Sequence, residues 1–269
     1  MKVVFPAARA VPRSLGGFRT AFSAEIVKGK RAGARKVALL APLPLCVLGM
    51  MSSGLVTQGH GPGGVGFNTY GWCWWYTLLL PVAVALIAAG VTGIDARQKF
   101  HSVMSAPVSL RCAWGAKTAY AFVLVVAANL VVATVSVAID ALGGDAAGLL
   151  ASACMVALLS ASSLWMIPAG LFLTTRFGML AGIAVPLLAQ LGVGIASYGS
   201  SLWWLLPPAA AMRLCSPYAG VAPSGVPLMQ GEICGVIDAS WFAALAVSVV
   251  FGVLLVVAGA AWFARQEVH

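Results

Sequence analysis

Six stretches of the chain run for 18 or more residues without a charged side chain, and this feature limits the available folds more than any other. A helix needs about 20 mostly apolar residues to cross the hydrocarbon core of a bilayer. Such a helix satisfies its backbone hydrogen bonds internally, as lipid requires. The stretches therefore predict six transmembrane helices, at Val37–Leu55, Trp74–Ile94, Thr118–Ile139, Ala146–Leu173, Met179–Ser197 and Trp241–Phe263.

The composition of the chain agrees with this interpretation. Of its 269 residues, 61% are hydrophobic and only 9% are charged, whereas a soluble domain carries about 25% charged residues. A soluble globular domain, a disordered chain and a nucleic-acid-binding protein are therefore excluded. The expected fold class is all-α, a polytopic membrane protein whose net charge of +9 has to be explained by where its cations lie.

The cations divide very unequally between the two sides of the predicted bundle. Fifteen of the sixteen Lys and Arg residues precede the first helix, lie in the second-to-third or fourth-to-fifth connection, or follow the last helix; only Arg213 is on the other side. Lys and Arg collect on the cytoplasmic side of membranes. Both termini are thus expected in the cytoplasm, with a basic leader at 1–36, a membrane domain at 37–264 and a tail at 265–269. The long connection at about 198–239 is expected to form an outer re-entrant region.

Tryptophan placement supports the same boundaries. Trp72, Trp74 and Trp75 fall at one predicted outer end, and Trp114 and Trp262 fall at predicted inner ends. Tryptophan and tyrosine are enriched where a membrane helix meets the headgroups. We therefore expect these residues to form aromatic belts at the two membrane surfaces.

The basic leader contains a candidate amphipathic helix. Phe18, Phe22 and Ile26 recur at i, i+4 and i+8, with Glu25 beside them and cations around much of the rest. A helix of this kind lies at the inner membrane interface with its apolar stripe in lipid. The alternative is a solvated basic leader, because Glu25 makes the stripe imperfect.

A second short amphipathic helix is predicted between the second and third transmembrane helices. It has a polar start that includes Arg97, an apolar stripe of Phe100, Val103 and Met104 with His101 among them, and a proline stop. An exposed apolar stripe at this place either rests on lipid or docks into a partner protein. This loop is therefore a candidate contact site.

The predicted spans contain no residue suited to acid–base chemistry. They hold no Asp, Glu, Lys, Arg or His, so intramembrane catalysis and ion-coupled transport are both disfavoured. A lipid-processing enzyme would have to use cytoplasmic groups such as Asp95 and His101. No phosphate-binding loop motif and no Cys/His cluster with metal-ligand spacing is present. We expect no catalytic residue, no metal and no cofactor on this chain.

Four residues in or near the spans leave alternatives open. Asn129 and Gln190 are polar and lie inside predicted spans, where they either line a substrate path or bond across helices. Cys215 and Cys234 share the outer connection. They are either bridged in an oxidising exterior or remain two small unlinked side chains.

Four motifs together carry a family resemblance. They are Glu25-x-x-Lys28-x-Lys30-Arg31, Trp74-Trp75-Tyr76-Thr77 followed by Leu80-Pro81, Ser105-Ala106-Pro107-Val108-Ser109, and Trp203-Trp204-Leu205-Leu206-Pro207. With them and its hydropathy layout, the chain resembles the permease subunits of type-2 ABC exporters, particularly those of lantibiotic immunity and export systems.

The resemblance implies a complete transporter of several chains. Two permease subunits, identical or paralogous, would join two cytosolic ATP-binding subunits that hold ATP and Mg²⁺. The Arg97–Ser105 region would be the coupling helix and the Phe18–Lys30 segment the elbow helix. The implied activity is outward movement of lantibiotic-like peptides or amphipathic compounds across a bacterial cytoplasmic membrane. The alternative function is a non-transporting immunity protein that sequesters a peptide.

Overall fold

A computed structural model describes residues 17–30, 33–44, 47, 67–97, 108–142, 148–229 and 231–265. These residues form helices joined by turns. The α-helices in chain order are α1 (Phe18–Gly29), α2 (Gly33–Leu40), α3 (Phe67–Trp74), α4 (Leu80–Arg97), α5 (Leu110–Leu142), α6 (Gly148–Ser162), α7 (Met166–Phe177), α8 (Met179–Leu188), α9 (Gly194–Ser197), α10 (Pro207–Arg213), α11 (Ser216–Ala219) and α12 (Ala239–Phe263). One π-helical turn, Trp75–Leu79, joins α3 to α4, and another, Ala189–Val193, joins α8 to α9.

Five helical segments of the described residues are long and apolar enough to cross a membrane. They are Gly71–Gly93, Leu110–Ala138, Leu149–Phe177, Met179–Ser197 and Ala239–Phe263. They coincide with the second to sixth predicted spans, so the all-α class is confirmed and the chain is compatible with a multi-pass membrane protein. Of the first predicted span, Val37–Leu55, residues 45–46 and 48–55 lie outside the described residues.

The third predicted span begins earlier in the structure than in the sequence prediction. Helix α5 starts at Leu110 and takes Arg111 and Lys117 into its first turns. The assignment of both cations to a connecting loop was therefore wrong. Lys117 forms ion pairs with the buried carboxylates of Glu25 and Asp95. Its charge is therefore compensated, and the apolar helix can include this lysine.

Helix α4 occupies the centre of the described bundle and packs against α2, α5, α7 and α8. Its Ala85, Ile87 and Ala89 are all inaccessible to solvent. Small side chains allow membrane helices to approach closely and gain packing contacts. By contrast, α8 and α12 leave most of their apolar residues uncovered, as expected for helices at a lipid-facing periphery.

Helices α7 and α8 form a tight antiparallel hairpin that depends on glycine. Gly178 turns the chain at φ +94°, a conformation that costs glycine little because it has no Cβ. Further along the hairpin, a Cβ on Gly182 would lie 1.8 Å from Thr174 Oγ1 and 2.9 Å from the carbonyl oxygen of Gly170. The two helices therefore meet backbone to backbone.

The connection between α9 and α12, residues 198–238, is called here the outer segment. It contains α10 and α11 and two 3₁₀ turns, Trp203–Leu205 and Ile233–Gly235. Every residue of α10 is buried, and α10 packs against α6, α9 and α12. The outer segment therefore folds back onto the bundle, although whether it enters the membrane stays a prediction.

Side-chain donors of the bundle attach the outer segment through its backbone. Tyr76 Oη donates to the carbonyl oxygen of Val221 at 3.2 Å, and Trp241 Nε1 donates to that of Leu214 at 3.2 Å. Cys73 Sγ lies 3.6 Å from the carbonyl oxygen of Ala222. These contacts fix the segment over the ends of α3 and α12.

The glycine contact in the hairpin can be tested by substitution. Replacing Gly182 with Ala should lower the midpoint of thermal unfolding in detergent, since overpacking typically costs about 1–3 kcal/mol. The control is Gly192→Ala, because no atom lies within 4 Å of the Cβ position there. Equal midpoints for both variants would contradict the close approach of α7 and α8.

Candidate functional site: a buried ionic cluster

Four charged side chains meet where α1, α4 and α5 converge. Lys117 Nζ donates to Glu25 Oε1 at 3.0 Å and also bonds Asp95. Lys28 Nζ donates to Asp95 Oδ1 at 3.1 Å and to Glu25 Oε1 at 3.2 Å. Two lysines and two carboxylates thus cancel in charge. We call these four residues the ionic cluster.

Most of the ionic cluster is removed from solvent. The side chains of Asp95, Lys117 and Glu25 are 1%, 2% and 7% exposed, whereas that of Lys28 is 30% exposed. A buried charge is tolerated when it is paired and hydrogen-bonded, and removing one partner leaves the other uncompensated. The pairs involving Lys117 are therefore the ones whose loss is costly.

Small residues of α1 bring Glu25 into this position. Ala21, Glu25 and Gly29 recur at i, i+4 and i+8 and form the buried face of the helix against α5. A Cβ on Gly29 would lie 1.9 Å from the hydroxyl oxygen of Tyr120. Helix α1 consequently lies directly on α5, with a carboxylate in the middle of the contact.

Arg35 forms a second link beside the ionic cluster. Its Nε donates to the Tyr120 hydroxyl at 2.7 Å, and its Nη2 donates to the carbonyl oxygen of Ile26 at 2.6 Å. The guanidinium also lies 5.8 Å from the centre of the Tyr120 ring. The end of α1 and the start of α2 are thereby held together on α5.

The charge state of Lys28 follows from its neighbours. Burial lowers the pKa of Lys28, but the charges of Glu25 and Asp95 and the hydrogen bonds to them outweigh this, so the pKa is raised above its usual 10.5. A raised pKa contributes stability below the unfolded value and loses it as the pH rises through the folded value. The contribution of Lys28 is therefore complete at neutral pH and is lost only at strongly alkaline pH.

The predicted elbow residues lie on two neighbouring faces of α1. Phe18 and Ile26 are 47% and 36% exposed, and Phe22 stacks on Phe18 with ring centres 6.0 Å apart. Glu25 points to α5 instead. The carboxylate that interrupts the apolar stripe anchors the helix, Phe22 packs partly against the core, and Phe18 and Ile26 remain exposed.

The region predicted as the coupling helix, Arg97–Ser105, is called here the coupling segment. It begins just after Asp95 of the ionic cluster. Arg97 is the last residue of α4, two positions after Asp95. Phe100, His101, Val103 and Met104 lie outside the described residues, so their roles stay predictions.

The two polar residues proposed for a substrate path both bond across the fold. Asn129 accepts a hydrogen bond from Trp75 Nε1 at 2.8 Å and donates to Ser160 Oγ at 3.0 Å. Gln190 Nε2 donates to the carbonyl oxygen of Pro208 at 2.9 Å. Two alternatives were open for these residues, a substrate path and hydrogen bonds between helices. The observed contacts favour hydrogen bonds between helices.

The three tryptophans of the predicted outer boundary differ in exposure. Trp74 is 51% exposed, but Trp72 and Trp75 are wholly buried. Trp72 Nε1 donates to Ser136 Oγ at 3.1 Å. Trp72 and Trp75 face the interior of the bundle, because their three-residue spacing on a helix directs both indole N–H groups to polar partners on α5.

Cys215 and Cys234 are both free thiols in the structure, and both are buried. Burial raises the pKa of each thiol, although Arg213 partly opposes this for Cys234. Because the thiolate is the reactive form, neither residue has the character of a nucleophile.

The described fold is that of an all-helical protein with apolar helices compatible with several membrane crossings and a salt-bridged cluster at one end. Comparison with protein-family models, curated proteins and solved structures finds no match.

The sequence carries a signal for each of two pairs in the ionic cluster, Asp95 with Lys117 and Lys28 with Glu25. Asp95 and Lys117 have opposite charges and lie at the facing ends of two consecutive apolar runs. Helices joined by a loop place such ends side by side. Lys28 is at i+3 from Glu25, a spacing that allows both to reach one site.

We expect Lys117→Met to destabilise the protein by about 3–5 kcal/mol, because it leaves buried carboxylates uncompensated. The double variant Asp95→Asn with Lys117→Met keeps the cluster neutral and should recover part of that loss. Thermal unfolding in detergent measures both. Lys28→Met is the matched control, and it should cost less because Lys28 is partly exposed. A wild-type midpoint for Lys117→Met would contradict the importance of these pairs.

Proposed function

We propose that the chain is the membrane permease subunit of a type-2 ABC exporter in a bacterial cytoplasmic membrane. ATP, with Mg²⁺, would be hydrolysed by separate cytosolic subunits, and a second permease, identical or paralogous, would complete the transporter. The cargo class is a lantibiotic-like peptide or an amphipathic compound, moved outward for immunity or export. The family motifs and the layout of apolar helices support this proposal.

The observation that carries the proposal is the position of the ionic cluster. Asp95 lies before the predicted coupling segment and Lys117 lies after it, so the cluster joins both sides of that segment to each other. Glu25 and Lys28 add helix α1 to the same unit. A force applied to the segment would therefore move α1, α4 and α5 together.

Packing extends this unit into the bundle. Helix α4 contacts both α7 and α8, and a Cβ on Gly170 of α7 would lie 2.9 Å from the Cβ of Ala88. Closely packed helices transmit displacement because their interiors compress little. Movement at the coupling segment would thus reach the membrane helices.

The geometry fits a mechanical link better than an ion carrier. Each carboxylate of the ionic cluster already bonds to both lysines, and the four charges cancel. Such a neutral, fully paired cluster fits a structural tie between helices, which is the role that the proposal gives it.

Phe100→Asp tests the coupling segment. Phe100 lies outside the predicted spans, so membrane insertion should be normal. A carboxylate in place of an aromatic ring at a protein interface should cost several kcal/mol of docking free energy. We expect normal abundance with loss of ATP-binding subunits from the purified complex and loss of peptide resistance. Phe100→Leu keeps an apolar contact and serves as the control.

Retained resistance and retained ATP-binding subunits in Phe100→Asp would place coupling elsewhere. Resistance in cells that lack any ATP-binding partner would favour the alternative, a membrane protein that sequesters the peptide. That alternative needs no docking surface, so Phe100→Asp would leave its activity unchanged.

The double variant Asp95→Asn with Lys117→Met tests transmission separately from docking. Because the coupling segment itself is unchanged, ATP-binding subunits should still copurify. Resistance should fall, since the segment is no longer tied to α1 and α5 through Lys117. The measurement is peptide resistance of the double variant at matched protein abundance. Full resistance would show that the cluster only stabilises the fold.

A further inference from the structure

The lipid-facing side of the bundle has an apolar groove between α7 and α12. Its volume is about 370 Å³, and its walls include Pro168, Phe172, Leu255, Ala258 and Trp262. Ring packing between Phe172 and Trp262, with centres 4.7 Å apart, forms part of the wall. The groove offers hydrocarbon contact and almost no hydrogen-bonding groups.

Aromatic contacts place this groove at the same end of the bundle as the ionic cluster. Trp262 packs edge-on against Trp114, with ring centres 6.1 Å apart. Trp114 lies one turn before Lys117 on α5. The groove is therefore near the membrane surface that the distribution of cations assigns to the cytoplasm.

Two arginines stand at the end of the groove. Arg176 follows Phe172 by four residues in the last turn of α7, and Arg265 lies in the turn that follows α12, where its N–H bonds the carbonyl oxygen of Trp262 at 3.0 Å. Both arginines are exposed. Within the described residues, neither guanidinium forms an ion pair or a hydrogen bond.

A second groove provides an internal comparison. It lies between α5 and α6, has a volume of about 410 Å³ and has similarly apolar walls that include Leu130, Val137 and Val156. From residue 118 to residue 175 the sequence contains no Lys, Arg or His. The two grooves are alike in size and lining, but only the one between α7 and α12 has cations at its end.

We infer that the groove between α7 and α12 binds an anionic phospholipid, with one acyl chain along the aromatic wall and the phosphate between Arg176 and Arg265. An acyl chain matches an apolar groove that faces lipid. Basic residues where helices meet the cytoplasmic surface bind acidic headgroups. The two exposed guanidinium groups supply the complementary charge, and this site does not depend on the proposed transport function.

The full-length purified chain, stripped of lipid in detergent, tests this inference. It should be titrated with phosphatidylglycerol and with phosphatidylcholine of the same acyl chains, and bound lipid counted by native mass spectrometry. We expect tighter binding of phosphatidylglycerol. Each arginine near an anionic headgroup contributes about a factor of five, so Arg176→Gln with Arg265→Gln should reduce the preference roughly 25-fold.

Substitutions that fill one groove or the other distinguish a specific phospholipid site from general contact with lipid. Ala258→Phe should abolish the tightly bound phosphatidylglycerol, because the ring occupies the groove. Ala153→Phe fills the second groove and should leave that binding unchanged. Equal affinity for the two lipids in the wild-type chain, an unchanged preference in the double arginine variant, or equal effects of the two phenylalanine variants would each overturn the inference.

Discussion

The neutralisation of Lys117 by Glu25 and Asp95 is the interaction on which the arrangement of α1, α4 and α5 depends. A lysine this deeply buried requires carboxylate partners, because an uncompensated charge in an apolar environment costs several kcal/mol. The two partners come from different helices. Satisfying one charge therefore determines where two other helices lie. The same requirement selects a single position of α1 along α5, where Gly29 meets Tyr120.

The described spans were predictable because long uncharged runs have few alternatives in a membrane. The ionic cluster was not, for a definite reason. Counting charges assigns a side of the membrane to each lysine, but it does not say whether that lysine faces solvent or a carboxylate. Lys117 immediately precedes an uncharged run, and Asp95 immediately follows another. A loop between the two runs places these ends side by side, but only the three-dimensional arrangement shows that Lys117 faces Asp95 and that α1 supplies the second acid.

A similar limit applies to the polar residues of the interior. Trp72, Trp74 and Trp75 are nearly adjacent in sequence and share a predicted boundary, yet two are buried and one is exposed. Which ones turn inward depends on the phase of the helix relative to Ser136 and Asn129 on α5. Hydrogen bonds between membrane helices contribute modestly, about 0.6–2 kcal/mol each. Here they fix the rotation about its own axis of the helix that carries Trp72 and Trp75. Packing of its apolar surface alone would allow several such rotations.

The attachment of the outer segment has a consequence for how this part of the chain tolerates change. Tyr76 and Trp241 donate to backbone carbonyl oxygens of the outer segment and not to its side chains. A substitution at Val221 or Leu214 keeps its carbonyl group, so the anchoring bond survives as long as the backbone path does. Substitution of Tyr76 or Trp241 has a different effect, because losing the hydroxyl or the indole N–H removes the bond. The two bonds therefore depend on the identity of Tyr76 and Trp241 but not on that of Val221 and Leu214, whose buried side chains are constrained by packing instead.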